Sequence, residues 1–263
     1  MSRESLATER SYFTQARQYL LSFEGVTTQI IDAHLHDWKQ RKPKDIPGLF
    51  QAMLLHAQNR QGMPNTIGSI SRLKKLLFGF NPGKVIARYS TWDDLFDAIN
   101  EAAHVPASRF DKGNAKSYWV IYCKSIMSCA DFLRRYSSMQ QFDEFVDGFM
   151  TNEFSRLALP LLLKEEIFGF GFALSCDFLK ETGYPQFLKP DTHINDIARG
   201  LGISHSSTDF GVFKDVEAYC NRIKKLPYEV DKLFWLVGSG RFYLSELKVN
   251  SSKHDFISSF GRR

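Results

Sequence analysis

The chain has 263 residues, a formal net charge of +5, 43% hydrophobic and 24% charged residues. That composition excludes a disordered chain and suffices for one large domain or two small lobes with real cores. The basic excess is mild and by itself favours a polyanionic partner no more than many ordinary enzymes do, while 23 phenylalanines point to an aromatic-rich core.

Met1-Ser2-Arg3-Glu4-Ser5 leads into charged sequence without the apolar segment of a secretory signal. Apolar runs such as Leu157 to Leu163 are too short to span a bilayer. An intracellular protein, cytoplasmic or nuclear and without a membrane partner, is expected. Arg41 to Gly48, with prolines at 43 and 47, separates an N-terminal helical section from the rest. Met53-Leu54-Leu55-His56-Ala57-Gln58-Asn59 ends a helical stretch. Gly79-Phe80-Asn81-Pro82-Gly83 reads as a turn, and His104 to Gly113 as a polar loop. Cys123, Cys129, Cys176 and Cys220 form no C-x-x-C pair and read as reduced, buried thiols, with no metal site and no cofactor expected.

Helical periodicity dominates. Phe142, Phe145, Val146 and Phe149 repeat at i, i+3, i+4, i+7, as do Ile194, Ile197, Ala198 and Leu201; Phe213, Val216, Cys220 and Ile223 continue one face. Strand-like alternation is scarce, so the spacing predicts an all-α protein of roughly ten helices. The polar stretch from about Asn250 is expected to fray unless Phe256 and Phe260 pin it.

The stretch from Leu157 to Ile203 carries the most chemistry. An apolar helix up to Ile167 meets Phe168-Gly169-Phe170-Gly171, and a second apolar helix follows at once from Phe172 and Ala173. Two glycines one residue apart allow a sharp turn and close approach to another surface. The unpaired N–H groups and dipole at the start of the second helix suit a phosphate. A tight turn between two core helices has the same pattern. Beyond Gly183-Tyr184-Pro185 comes Lys189-Pro190-Asp191-Thr192-His193, with Asp191 twenty residues after Gly171.

This order resembles the helix-hairpin-helix-Gly-Pro-Asp superfamily of DNA glycosylases: a G-x-G hairpin, a helix, a Gly/Pro loop, then an aspartate opening the next helix in a D-T-H context. Two further stretches extend the likeness over roughly residues 50 to 245. Met53 to Asn59 is similar to an early helix whose glutamine, here Gln58, fills the gap left by an extruded base. Phe234-Trp235-Leu236-Val237-Gly238-Ser239-Gly240-Arg241 is similar to the late helix of endonuclease III-type members.

The resemblance implies two helical lobes with an active-site cleft between them. One combines residues 1–64 and 184–263; the other is a helical barrel, 65–183, ending in the hairpin at about 157–182. It implies a monomer acting on double-stranded DNA in base excision repair. Asp191 would be catalytic. Gly169, Phe170, Gly171, Phe172, Ala173, His193 and Gln58 would contact DNA, and Trp119, Tyr118, Phe168 or Trp235 would stack on the extruded base. Cleaving an N-glycosidic bond builds positive charge on the sugar, and a carboxylate beside the anomeric carbon stabilises that charge and orients water. Asp191 also reads as a helix N-cap, a role compatible with catalysis. His193 reads equally as a ring satisfying a backbone group, and Lys189 and Arg199 as phosphate contacts or solvated cations.

The chain departs from the pattern at defined points. Bifunctional members carry a lysine two residues after the second hairpin glycine, where Ala173 stands, so a monofunctional enzyme using water is expected. Lys164, Lys180 and Lys189 remain as displaced amines. No cysteine follows Gly240-Arg241, which leaves no ligands for an iron–sulfur cluster there. Phe172 replaces a basic residue common after the hairpin. Two other readings stand: a non-catalytic DNA-binding protein that keeps the hairpin, and a helical scaffold in which G-x-G and Asp191 are merely a turn and a cap.

Overall fold

The structure, a computed structural model, describes residues 3–59, 62–102, 105 and 111–260. Most of the polar stretch from His104 to Gly113 lies outside the described residues. The chain is predominantly helical. Among the described residues there are fourteen α-helices, more than the roughly ten expected. The excess comes from short helices that begin at proline or glycine, such as Met63–Ile67 and Pro82–Arg88, which whole-turn periodicity cannot register. No described helix is long and apolar enough to cross a membrane.

The chain divides into two compact units, Met1–Lys42 with Leu179–Arg263, and Pro43–Phe178. The discontinuous unit holds α1 (Arg3–Leu21) and α2 (Thr28–His36) before the break. After it come the end of α10 (Phe172–Glu181), α11 (Thr192–Gly200), α12 (Asp209–Ile223), α13 (Pro227–Ser239) and α14 (Lys253–Phe260). A two-residue antiparallel pair, β1 (Arg241–Phe242) with β2 (Leu247–Lys248), aligns Arg241 with Lys248 and Phe242 with Leu247. α13 is the hub, packing on α1, α2, α11, α12 and α14. Its sequence explains this: Val230, Leu233, Phe234, Leu236 and Val237 are all buried, leaving no polar face. The C-terminal stretch is pinned by Phe256, one of the two residues named for that part, as far as it is described. Phe256 is wholly buried, 5.4 Å from the Tyr19 ring and 5.3 Å from Phe260, which fixes α14.

The continuous unit holds α3 (Ile46–Ala57), α4 (Met63–Ile67), α5 (Pro82–Arg88), α6 (Trp92–Asn100), α7 (Tyr118–Leu133), α8 (Met139–Gly148), α9 (Glu153–Glu166) and the first turns of α10. Here α7 is the hub, packing on α3, α4, α5 and α6. The phenylalanines of α8 cluster with Phe132 and Tyr136; Phe142 lies 5.2 Å from Tyr136 and Phe145 6.0 Å from Phe132. None of the four cysteines is in a disulfide, and all four are buried.

Candidate active site

The glycine turn joins two helices as its sequence predicts. α9 ends at Ile167, whose backbone is extended, and α10 begins at Phe172. Gly169 has φ +87°, and a Cβ there would stand 2.6 Å from Ser125 Oγ on α7. Only glycine meets both demands. Ser128 secures the same turn: its Oγ accepts from Phe168 N at 2.8 Å and donates to Glu166 O at 3.2 Å. Phe170 is buried, whereas Phe168 is 47% exposed with Lys124 Nζ 5.8 Å from its ring centre. Nothing crowds Gly171, and Phe172 and Ala173 are half-buried. Helical geometry leaves the N–H groups of residues 173 and 174 without intrahelical acceptors, since the first α10 bond runs from Ser175 N to Gly171 O.

Asp191 is the N-cap of α11. Its backbone is extended, and Oδ1 accepts from His193 N at 2.9 Å and Ile194 N at 3.1 Å. Among the described residues none hydrogen-bonds Oδ2. The loop that presents Asp191 is tied down at three points. Lys189 N donates to Asp231 Oδ2 at 2.6 Å, Asn195 Nδ2 donates to Pro190 O at 3.2 Å, and Asp191 N donates to Lys189 O at 2.8 Å. This half-buried carboxylate therefore stands in one orientation, with one oxygen engaged by the helix and the other open.

Beneath the loop lies an ionic cluster that sequence reasoning missed. Lys180 Nζ is 2.7 Å from Asp231 Oδ1 and 3.3 Å from Glu181 Oε1; Lys232 Nζ is 2.7 Å from Glu181 Oε1. Arg41 pairs with both Glu181 and Asp37, and Tyr243 donates to Asp37 at 3.2 Å. Three cations thus face three anions, which is what lets so many charges be buried. Burial nonetheless pushes the Asp231 carboxyl above its ordinary range against the pull of Lys180 and Lys232, and the charge of Asp191 adds to that push. Burial, then the charge of Lys180, lowers the Lys232 ammonium. The only advance signal was a pair of adjacent charges, Asp231-Lys232, inside a largely apolar helix.

No family model, curated protein or solved structure matches the chain.

The other candidate residues fall in different surroundings. The His193 ring packs on Gly238 of α13, where a Cβ would collide with Nδ1, and Nδ1 is buried without a hydrogen-bond partner among the described residues. The D-T-H stretch and the late-helix stretch are thus in contact. Trp235 is half-buried, 5.9 Å from the Tyr243 ring. Trp119 is 1% exposed within α7, so its ring as it stands presents no face for stacking. The Tyr118 hydroxyl reaches toward Gly62, where a Cβ would stand 2.8 Å from it. Gln58 caps the end of α3, is 6% exposed, and donates from Nε2 to Gly68 O at 2.7 Å; filling a gap in DNA would require that bond to open. Of the three lysines that remained as displaced amines, Lys180 is held in its buried pair, Lys164 is exposed beside Glu165, and Lys189 is half-buried. Arg199 is exposed, its Nε donating to Ser206 O at 2.8 Å. Among the described residues no group of three His, Cys, Asp or Glu could hold a metal ion.

Proposed function

We propose that this chain is a monofunctional DNA N-glycosylase, a divergent relative of the helix-hairpin-helix-Gly-Pro-Asp superfamily, that extrudes an altered base from duplex DNA and hydrolyses its N-glycosidic bond. The observation that carries the reading is Asp191, a half-buried carboxylate with Oδ1 fixed by two backbone amides and Oδ2 open. A preorganised anion of this kind is what an oxocarbenium-like transition state requires, because the charge it stabilises appears only as the bond breaks. Oδ2 supports a second task, orienting or deprotonating the attacking water.

The glycine hairpin supports the DNA half of the reading. Its exposed turn and the first-turn amides of α10 suit a backbone phosphate, a contact that grips without reading sequence. Extrusion of the base then supplies selectivity, since an altered base costs less to unstack. Water is favoured over an amine as nucleophile because Ala173 occupies the lysine position and Lys180 is ion-paired and 4% exposed. On this reading the protein works as a monomer on genomic DNA inside the cell, as the first step of base excision.

The test is incubation with duplexes that each carry one altered base: an alkylated purine, an oxidised purine or pyrimidine, uracil, hypoxanthine or a bulky modified cytosine. The expected result is strand breakage only after alkali treatment, with no covalent adduct trapped by borohydride. Breakage without alkali would contradict hydrolysis by water. Tight, salt-sensitive binding with no abasic site on any duplex would favour the non-catalytic DNA-binding reading.

A further inference from the structure

From Ile46 to Trp92 the chain carries no Asp or Glu, while Arg60, Arg72, Lys74, Lys75, Lys84 and Arg88 all fall in that stretch. The rest of the chain, with all 29 acidic residues, is therefore close to neutral, and the formal charge of +5 comes from this one stretch. Acidic residues resume at Asp93 and Asp94, in the first turn of α6. The whole stretch belongs to the continuous unit. Charge concentrated in this way makes a local field that the same charge spread evenly would not.

Folding turns these cations outward on a fixed surface. Leu73, Leu77, Phe80 and Val85 are buried, and Lys74, Lys75 and Lys84 stand exposed between them. Gly79 N donates to Lys74 O at 2.8 Å, and Asn81 N donates to Leu77 O at 3.1 Å. The Tyr89 hydroxyl donates to Leu76 O at 3.1 Å, and Asn81 Oδ1 accepts from Lys84 N at 2.9 Å, so α5 is tied to the turn before it. On this turn lies an open groove of about 660 Å³ lined by Ser71, Arg72, Lys74, Lys75 and Gly79. Among the described residues no carboxylate pairs with Lys74, Lys75 or Lys84. Lys112 of the same unit differs, being bridged to Asp93 at 2.9 Å and to Asp97 at 2.7 Å.

Unpaired lysines on two consecutive elements of one unit suit a polyanion whose charges repeat along its length. The phosphates of a duplex backbone repeat in that way, and lysine meets them without reading sequence. A single strand is gripped largely by stacking its bases on bare rings. Phe78, exposed at this turn, instead leans on Tyr89 with ring centres 6.3 Å apart.

We infer that the basic face of residues 71–84 docks the phosphate backbone of duplex DNA, as a contact additional to the glycine hairpin. The choice of DNA rests on the glycosylase reading, but the contact is measurable without base release. Binding of a labelled, unmodified duplex is followed by fluorescence anisotropy over a salt series for three full-length proteins. These are the wild type, a variant with Lys74→Gln, Lys75→Gln and Lys84→Gln, and a control with Lys116→Gln, Lys214→Gln and Lys248→Gln. The control removes the same charge from exposed positions elsewhere. The log–log slope should flatten by about 0.9 for each lysine that meets a phosphate, so by about 2 to 3 in the first variant and by less than about 1 in the control. Equal slopes for the wild type and the first variant, an equal loss in both variants, tighter binding of the single strand than of the duplex, or no duplex binding at low salt would each overturn the proposal. A flattened slope in a chain that releases no base from any altered duplex would uphold the surface and sink the glycosylase reading. Base release with a slope indifferent to the first three substitutions would do the reverse.

Discussion

At the scale of single residues, Asp191 has two separable duties. As an N-cap it holds the start of α11 through His193 N and Ile194 N. Asparagine caps as well as aspartate, so Asp191→Asn is expected to change unfolding free energy by only a few tenths of a kcal/mol, whereas Asp191→Ala should cost about 0.5–2 kcal/mol. Urea unfolding of the two variants checks this. Asp231 is a stricter case. Its carboxylate joins Lys180 to the backbone of Lys189, two residues before Asp191. Asp231→Ala leaves Lys180 buried without that partner and is expected to destabilise by about 3–5 kcal/mol.

His34 makes a prediction about pH. Its Nδ1 lies 2.7 Å from Ile30 O and its Nε2 accepts from Leu244 N at 3.1 Å, so the neutral ring satisfies both partners. Burial lowers its folded pKa below the ordinary 6.5 despite the Ile30 bond. The unfolded chain therefore binds this proton more readily than the native state. Its stabilising contribution is full above 6.5 and is lost as pH falls through that value toward the lowered one. Unfolding midpoints measured between about pH 7 and 5 should fall for the wild type and fall less for His34→Gln. An equal slope in both would contradict this assignment.

Local elements were the most legible part of the sequence, because their signals are local. The helix–turn–helix at Gly169 was readable because a φ of +87° demands glycine, and the start of α11 because aspartate after proline is a capping signal. The price of the turn is testable. Gly169→Ala meets both the positive φ and Ser125 Oγ at 2.6 Å, so it should destabilise by more than about 1 kcal/mol. Adding Ser125→Ala should restore only the steric share, as thermal unfolding of single and double variants would reveal. What stayed hidden depends on distant pairing. His56 meets Asp177 and Lys180 meets Asp231 only after folding, and no periodicity announces such pairs. Phe256 was legible as a pin for the tail, but its partner was not, since it is held by Tyr19 at the other end of the chain.

At the scale of the whole molecule, the helical class followed from periodicity, and the first limit between the units falls within the proline-bearing stretch Arg41 to Gly48. This limit, Lys42–Pro43, puts α3 in one unit with α7, on which it packs. The second limit lies inside α10, whose Lys180 and Glu181 are bonded to α13. Gly183 and Pro185 end a helix; they do not end a unit. The DNA-binding reading sets an expectation for salt dependence. Affinity for any duplex should fall linearly on a log–log plot against salt, with a slope of about −0.9 per phosphate neutralised. Fluorescence anisotropy over a salt series measures it, and absence of binding at low salt would leave only the scaffold reading.

The most direct test of the central claim compares wild type with Asp191→Asn in single-turnover base release on whichever altered duplex the wild type cleaves. Asparagine preserves the cap but not the charge, so the account predicts a rate lower by at least about a hundredfold, with duplex affinity and unfolding midpoint unchanged. Equal rates for the two proteins would mean that Asp191 is only a cap and that the chemistry, if present, lies elsewhere.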